Sequence, residues 1–500
     1  MAVDHVANHE AIGWKGVLLL ARRVLVVLGI GAAMLLLGWQ SARYLLLGAY
    51  VDHIEGNVVI SGWQFFHGAP LYATFGGAPL LATFYGPLAY LLEVPALALF
   101  GASAEASKLT SALALVLTIA AMAWHFRRHF SAVQARDALL MLLAGLLFFS
   151  PRCFWVRPDP LEALMVALAL VSTRTRWSAV GIGICIGVAV NLKIHAFVYF
   201  LPLIVELWLS RGWRSLAGMA ATSGTVFLLP FLAPGISLPD YAAMLAMQVG
   251  KRAPTLHTLA ENTAFIEIPA LLLIGALAGA AWQSIGRERV YFGSVLAALA
   301  LLLYPATFPG AGLYHLLPFV PVLADAIGRV RPDNHAARWA PIALCLVAIP
   351  YGASSLVGMN ALAGDEFAAG EALALARGTS AQPVQIGYGD SFRNYRASQL
   401  SKAVLSLHGY PALLDAQVLM ELRYIGIDGS ERWIPELANC RFGRWLLPQG
   451  EPPFAMRSFY DQGPLFDDGF RRAFLDHYRV VDRTDRFDIW ACARDTAATR

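Results

Sequence analysis

Charge is what this chain of 500 residues has least of: only 14% of it is Asp, Glu, Lys or Arg, where a soluble globule carries about a quarter. With 57% hydrophobic residues and a mean hydropathy of +0.55, that shortage excludes a water-soluble globule and leaves a polytopic membrane protein. Net charge is only +4, and the basic residues stand in short loops rather than in a stripe, so nothing calls for a nucleic-acid partner. Cysteine is scarce, five in all. Cys153, Cys185 and Cys345 fall in or beside apolar segments, where thiols serve as packing residues. No His-x-x-x-His or paired-cysteine spacing marks a metal site, and the run Gly387 to Gly389 is too short to cradle a nucleotide phosphate. No internal repeat is present, which weighs against a transporter built from two related halves. The first apolar run, Gly16 to Trp39, outlasts a signal-peptide core and lacks a small-residue cleavage site, so it is expected to remain as an anchor.

What the chain has is apolar length. A span needs about 20 mainly apolar residues, and such runs lie near 24–49, 106–126, 137–150, 161–173, 178–194, 196–209, 215–233, 264–282, 290–304, 313–328 and 339–357. That predicts 11 spans, or 12 if Leu80 to Phe100 also crosses. Loop charge favours 11, because Lys and Arg collect on the cytoplasmic side of short loops. With Leu80 to Phe100 not crossing, 15 of the 22 basic residues before position 350 fall on one side. The segment is therefore read as a helix pair in the outer leaflet, broken near Glu93 and Pro95. A true crossing with a miscount elsewhere is the alternative.

From Gly358 the composition changes, since the last 143 residues hold 34 of the 72 charged side chains. Residues 1–357 are thus expected to form a membrane domain with a first outer loop at 50–105, and residues 358–500 a small soluble α/β domain on the periplasmic side. A strand is predicted at Gln382 to Tyr388, a helix at Arg396 to Leu407, and a hairpin from Tyr478–Asp482 and Phe487–Ala493 around Arg483–Arg486. Cys440 and Cys492 both lie here, in an oxidising compartment on this topology, and the sequence leaves open whether they are bonded.

This topology brings four polar clusters to one outer face: Asp52 with Glu55, then Arg152 to Asp159, then Lys193 with His195, then Tyr314 with His315. The loop Pro234 to Thr263, with Lys251, Arg252, His257 and Glu261, joins them. Acids and bases converging on one side of a membrane form the pattern of a site. Lys193 follows GVAVN in an apolar run, so its ammonium needs a partner, an anionic phosphate, unless it snorkels at a helix end. His195, His257, Lys251 and Arg252 are candidate substrate contacts without a motif of their own.

The order VDHIEGN, HGAPLY, FYGPLAYLLEVPALALFG and then a basic residue opening a new apolar run resembles the membrane glycosyltransferases of the C superfamily, which take sugars from polyprenyl phosphates. Protein mannosyltransferases, aminoarabinose transferases and mycobacterial mannosyltransferases belong to it. The resemblance covers roughly residues 14–357 and implies an all-α polytopic fold in a bacterial inner membrane. It implies a catalytic base at Asp52 and a second outer-loop acid at Asp159 that holds acceptor or metal. It also implies a donor-phosphate contact at His315, with Tyr314 beside it, and Arg157 and Lys193 from the neighbouring clusters are further candidates for that phosphate. Glu55 would orient Asp52 or raise its pKa through like charge. His53 follows Asp52 where the family has an adjacent Asp-Glu pair, so the pair is stretched here to Asp52 and Glu55. The expected reaction is inverting transfer of one sugar from a polyprenyl-phosphate donor to a periplasmic lipid, glycan or protein. No obligatory cofactor is expected, although some relatives use a divalent ion. A flippase for a lipid-linked saccharide would place its polar groups at mid-membrane depth, and a ligase or polymerase would carry a large late outer loop. Both remain as alternatives.

Overall fold

The computed structural model describes residues 2–72, 85–250, 255–263, 267–308, 311–331, 334–378, 383–412, 414–427 and 429–494. Each of the 11 apolar runs holds a helix, from Ala2–Leu45 to His335–Asn360. Among the described residues five stretches are long and apolar enough to cross a bilayer: Gly16–Leu45, Ala104–His129, Ile194–Arg211, Trp213–Leu232 and Ala337–Arg377. The chain is a multi-pass membrane protein. Leu18, Leu35, Trp39, Val116, Trp208 and Leu346 lie exposed on these stretches, as a lipid-facing surface requires.

Three runs are not simple helices. The 3-10 turns Ile194–Phe200, Leu229–Leu232 and Leu313–Phe319 adjoin the α-helices Leu201–Arg211, Trp213–Leu228 and Val320–Arg329. Pro202, Pro230, Pro318 and Pro321 sit at these junctions, each removing a backbone donor. The described part of Leu80 to Phe100 is two short helices, Leu88–Leu91 and Val94–Phe100, interrupted at Leu92 and Glu93. At 1.5 Å per residue Leu88–Phe100 rises only about 20 Å, against a hydrocarbon core of about 30 Å.

Close backbone approach fixes this hairpin. A Cβ on Gly62 would stand 2.4 Å from the Tyr90 carbonyl oxygen, and one on Gly86 would stand 1.9 Å from that of Asn191. The basic residue that opens the next run, Lys108, is fully buried and donates to the carbonyls of Tyr44 (3.0 Å), Leu47 and Ala49 (2.7 Å). A cation thus closes the C-terminal end of the first helix. At the far ends of the helices Asp137 pairs with both Arg22 and Arg338, and Arg329 with Asp325 and Glu206.

The C-terminal part contains a four-stranded sheet of β1 (Val384–Ile386), β2 (Arg444–Pro448), β3 (Tyr478–Arg483) and β4 (Phe487–Cys492) in the order β1-β2-β4-β3. β1 and β2 are parallel, and the other pairs are antiparallel. The hairpin forms as read. The first strand is shorter than expected, with Gln382 outside the described residues, and the expected helix starts earlier, at Phe392. β2 was not anticipated, because its WLLP run is buried throughout and shows no alternation. Cys440 and Cys492 are joined in a disulfide, with their Cα atoms 5.8 Å apart.

Candidate active site

The site begins where the first helix ends. After Leu45 the chain turns, and Asp52 folds back on itself, its Oδ1 accepting from the Ile54 amide at 2.9 Å. The same oxygen accepts from Arg157 Nη1 at 3.3 Å, and Oδ2 lies 3.9 Å from His53 Nδ1. The Asp52 side chain is 23% exposed, whereas Glu55, Asp159 and Glu162 are fully buried. Of these four acids Asp52 alone is open to a substrate. Burial would raise its pKa, but His53 and Arg157, then the Ile54 amide and Arg152, outweigh it and hold the carboxyl below its ordinary value.

Glu55 is a structural clamp. It accepts from the Tyr44 hydroxyl, from the Val156 amide at 2.6 Å and from the Asp52 amide at 2.8 Å. One carboxylate therefore joins the first helix, the Asp52 turn and the loop before helix Pro158–Ser172. The expected like-charge effect falls on Glu55 rather than Asp52. Burial first, with Asp52 adding to it, pushes Glu55 up to about 7, against the hydrogen bonds from Tyr44 and Val156.

Arg157 immediately precedes that helix, and Pro158 occupies its first position, where a missing N–H costs nothing. The guanidinium lies over three rings, Trp155 at 4.2 Å, Tyr314 at 4.7 Å and Tyr85 at 6.0 Å. Two residues on, Asp159 accepts from Lys193 Nζ at 2.5 Å and from Trp155 Nε1 at 3.2 Å. Lys193 is also 3.7 Å from Glu162, and its ammonium faces Tyr314 at 5.5 Å and Tyr85 at 5.6 Å. The lysine thus has protein partners, and it does not snorkel. The His315 ring is 4.6 Å from Tyr314 and 5.1 Å from His195, which stands 6.2 Å from Tyr199. Among the described residues His195 Nε2, His315 Nδ1, the Tyr199 hydroxyl and Arg157 Nε are buried with no hydrogen-bond partner.

The structure therefore brings Asp52, Glu55, Arg157, Asp159, Lys193, His195, Tyr314 and His315 into one connected cluster. His257 is not part of that contact network: its side chain is 83% exposed and pairs with Glu261. Lys251 and Arg252 lie outside the described residues. Sequence reasoning missed Glu162, Trp155 and Tyr85. Glu162 had a findable signal, since Asp159 and Glu162 repeat the Asp-x-x-Glu spacing of Asp52 and Glu55 on a helix, where positions three apart share a face.

The architecture is a helical membrane bundle with a small sheet at its C-terminal end, and solved structures share it. Two solved structures that resemble the chain are of ArnT from Cupriavidus metallidurans. The one bound to undecaprenyl phosphate has 15% identity and a TM-score of 0.60 and covers 93% of this chain and 97% of its own. The apo structure has 12% identity and a TM-score of 0.61, covering 94% and 98%. No protein-family model and no curated protein matches the chain.

Proposed function

We propose that the protein is an inverting glycosyltransferase that moves one sugar from a polyprenyl-phosphate donor to a lipid, glycan or protein acceptor on the periplasmic side of a bacterial inner membrane. The membrane domain crosses 11 times in this reading, and the C-terminal domain is periplasmic. One observation carries the proposal. An accessible carboxylate held below the ordinary pKa range, Asp52, faces a cation seated among aromatic rings, Arg157. The ArnT structure bound to undecaprenyl phosphate supports a lipid-phosphate donor.

In the proposed reaction Asp52 takes the proton of the acceptor hydroxyl as its oxygen attacks the anomeric carbon from the face opposite the phosphate. The bond from that carbon to the phosphate oxygen breaks, and its electron pair leaves with the polyprenyl phosphate. Arg157, Lys193, Tyr314 and His315 meet the growing negative charge, which is where such groups lower a barrier most. Asp159 holds Lys193 in place, and His195 is left for acceptor contact, a role also proposed for Lys251, Arg252 and His257 of the loop Pro234 to Thr263. No obligatory metal enters the proposed scheme, in which Asp159 pairs with Lys193.

Asp52→Asn tests the assignment. It removes the base with little change in volume and is expected to lower transfer by about 100-fold to 10,000-fold, with insertion and monodispersity unchanged. Purified enzyme, a radiolabelled polyprenyl-phosphate sugar and a membrane extract as acceptor give the readout. Wild-type turnover by the variant would end the assignment. Label that never leaves the polyprenol with the wild type would favour a flippase.

A further inference from the structure

The C-terminal domain reaches into this site. Helix Phe392–Leu407 packs against helix Glu55–Phe66, the element that directly follows Asp52. The fit is close: a Cβ on Gly56 would lie 3.1 Å from the Ala403 Cβ and 3.5 Å from the Gln399 carbonyl oxygen. Leu400, Ala403 and Leu407 are part of the apolar core of the membrane domain. A buried polar pin crosses the same boundary. Lys402 donates to Asn57 Oδ1 at 2.8 Å and pairs with Asp415, whose other oxygen caps the helix Ala416–Tyr424 through the Val418 amide at 2.9 Å. Removing either partner would strand a charge out of water, so the boundary is a fixed joint rather than a loose contact between domains.

His53 stands at the end of that joint. One side of its ring is 3.9 Å from Asp52, measured Nδ1 to Oδ2. The ring centroid lies 5.3 Å from that of Tyr395 and 6.1 Å from that of Phe459, and Gln417 is a hydrogen-bond partner. Tyr395 donates to Gln417 at 3.3 Å and its ring packs 5.5 Å from Phe459. All three are residues of the C-terminal domain. Phe392 closes the group from the outside, 4.5 Å from Phe459.

We propose that His53 is a positioning residue through which the C-terminal domain completes the active site: Tyr395, Phe459 and Gln417 hold its ring, and the ring fixes the orientation of Asp52. The inference rests on the assignment of Asp52 as the base. The charged groups acting on His53 are Asp52, Arg157 and Lys402. Burial is the largest influence and, with Arg157 and Lys402, keeps the imidazole below its ordinary value against the pull of Asp52. At neutral pH the ring is therefore uncharged and acts through its place, held by its hydrogen bond to Gln417, and its charge bears on Asp52 only as the pH falls into the acid limb. Asp52 Oδ1 is fixed by Ile54 and Arg157, whereas the structure gives Oδ2 only the imidazole as a polar neighbour among the described residues. Loss of the ring would free that oxygen to rotate away from the acceptor, and misplacing a reacting group by about 1 Å costs on the order of 100-fold in rate.

The test uses the full chain reconstituted in lipid. His53→Ala and Phe459→Ala are each expected to lower kcat by about 10-fold to 100-fold, with the donor KM changed less than about 3-fold. His53→Gln, which keeps a hydrogen-bonding group, should recover most of the kcat. The acid limb of the His53→Ala pH profile should move to higher pH, because Asp52 loses a neighbour that favours its ionised form. A second measurement needs no activity. In protein labelled with carbon-13 histidine, the His53 resonance, assigned by its absence from His53→Gln, should titrate at a different pH in Asp52→Asn and again in Gln417→Met. A titration unmoved by both changes would overturn the coupling. A moved titration in an enzyme that transfers no sugar would sink the assignment of the base and leave the joint standing. Wild-type kcat and pH profile in both His53→Ala and Phe459→Ala, with active wild type, would overturn the positioning role alone.

Discussion

Lys193 offers the sharpest test of the buried chemistry. Lys193→Met keeps an unbranched side chain and removes the ammonium, leaving Asp159, 2.5 Å away, and Glu162, 3.7 Å away, fully buried with no cation between them. Breaking a buried pair by removing one partner costs about 3 to 5 kcal/mol, a large part of the roughly 5 to 15 kcal/mol that holds a typical protein folded. At 1.36 kcal/mol per factor of ten that is roughly a 100-fold to 5,000-fold loss in the folded-to-unfolded ratio. Proton uptake by one of the stranded carboxyls would bring the cost toward the low end. A lysine that only awaited a donor phosphate would behave differently, since its removal would relieve an unpaired charge and leave stability unchanged or higher. Fluorescence-detected size exclusion after a temperature ramp separates the two. Lys193→Met should lose its monodisperse peak several degrees below the wild type, and adding Asp159→Asn and Glu162→Gln should recover the peak while transfer stays lost. A Lys193→Met protein as heat-resistant as the wild type would refute the structural half of this reasoning.

Glu55 carries a pH dependence with a definite sign. Its value of about 7 in the fold exceeds the ordinary 4.5, so the folded protein holds an extra proton between those limits, and stability falls as pH rises from about 5 through 7. Up to about 3 kcal/mol is at stake. Thermal midpoints measured from pH 5 to 8 should slope downward in the wild type and flatten in Glu55→Gln, and an equal slope in both would reject the assignment. Topology is checked with alkaline phosphatase fusions after Gly101, Ala361 and Arg136. The first two should be active and the third silent, and a cytoplasmic signal at Gly101 would restore a twelfth crossing.

Much of the fold was legible because lipid imposes a simple rule: backbone polar groups must be satisfied within the segment, so apolar length reads directly as helix. The break at Leu92 and Glu93 was legible for the same reason, since a buried acid and a proline interrupt an apolar run. β2 was not, because a buried central strand looks like any other short apolar run. Nor were the 3-10 turns before Leu201 and Val320. Lys193 stands just before the first and His315 lies within the second, where departure from regular helix is set by tertiary contacts more than by local propensity.

In the site, the charged residues were legible and the pairings among them were not. Asp52 and Asp159 announce themselves as acids beside apolar runs, but what each acid does depends on groups distant in sequence: Arg157 for Asp52, and Lys193 for Asp159. These two pairs meet in three consecutive residues, Arg157, Pro158 and Asp159. Arg157 points back to the first loop, and Asp159 points on to Lys193. Pro158 fixes the start of the helix between them. The adjacent Trp155 binds both halves, stacking on the guanidinium and donating to Asp159. In both Asp-x-x-Glu pairs the first acid faces a cation at close range and the second is fully buried. A carboxylate can be left open to a substrate at Asp52 because Glu55, in the interior, clamps the backbone that presents it.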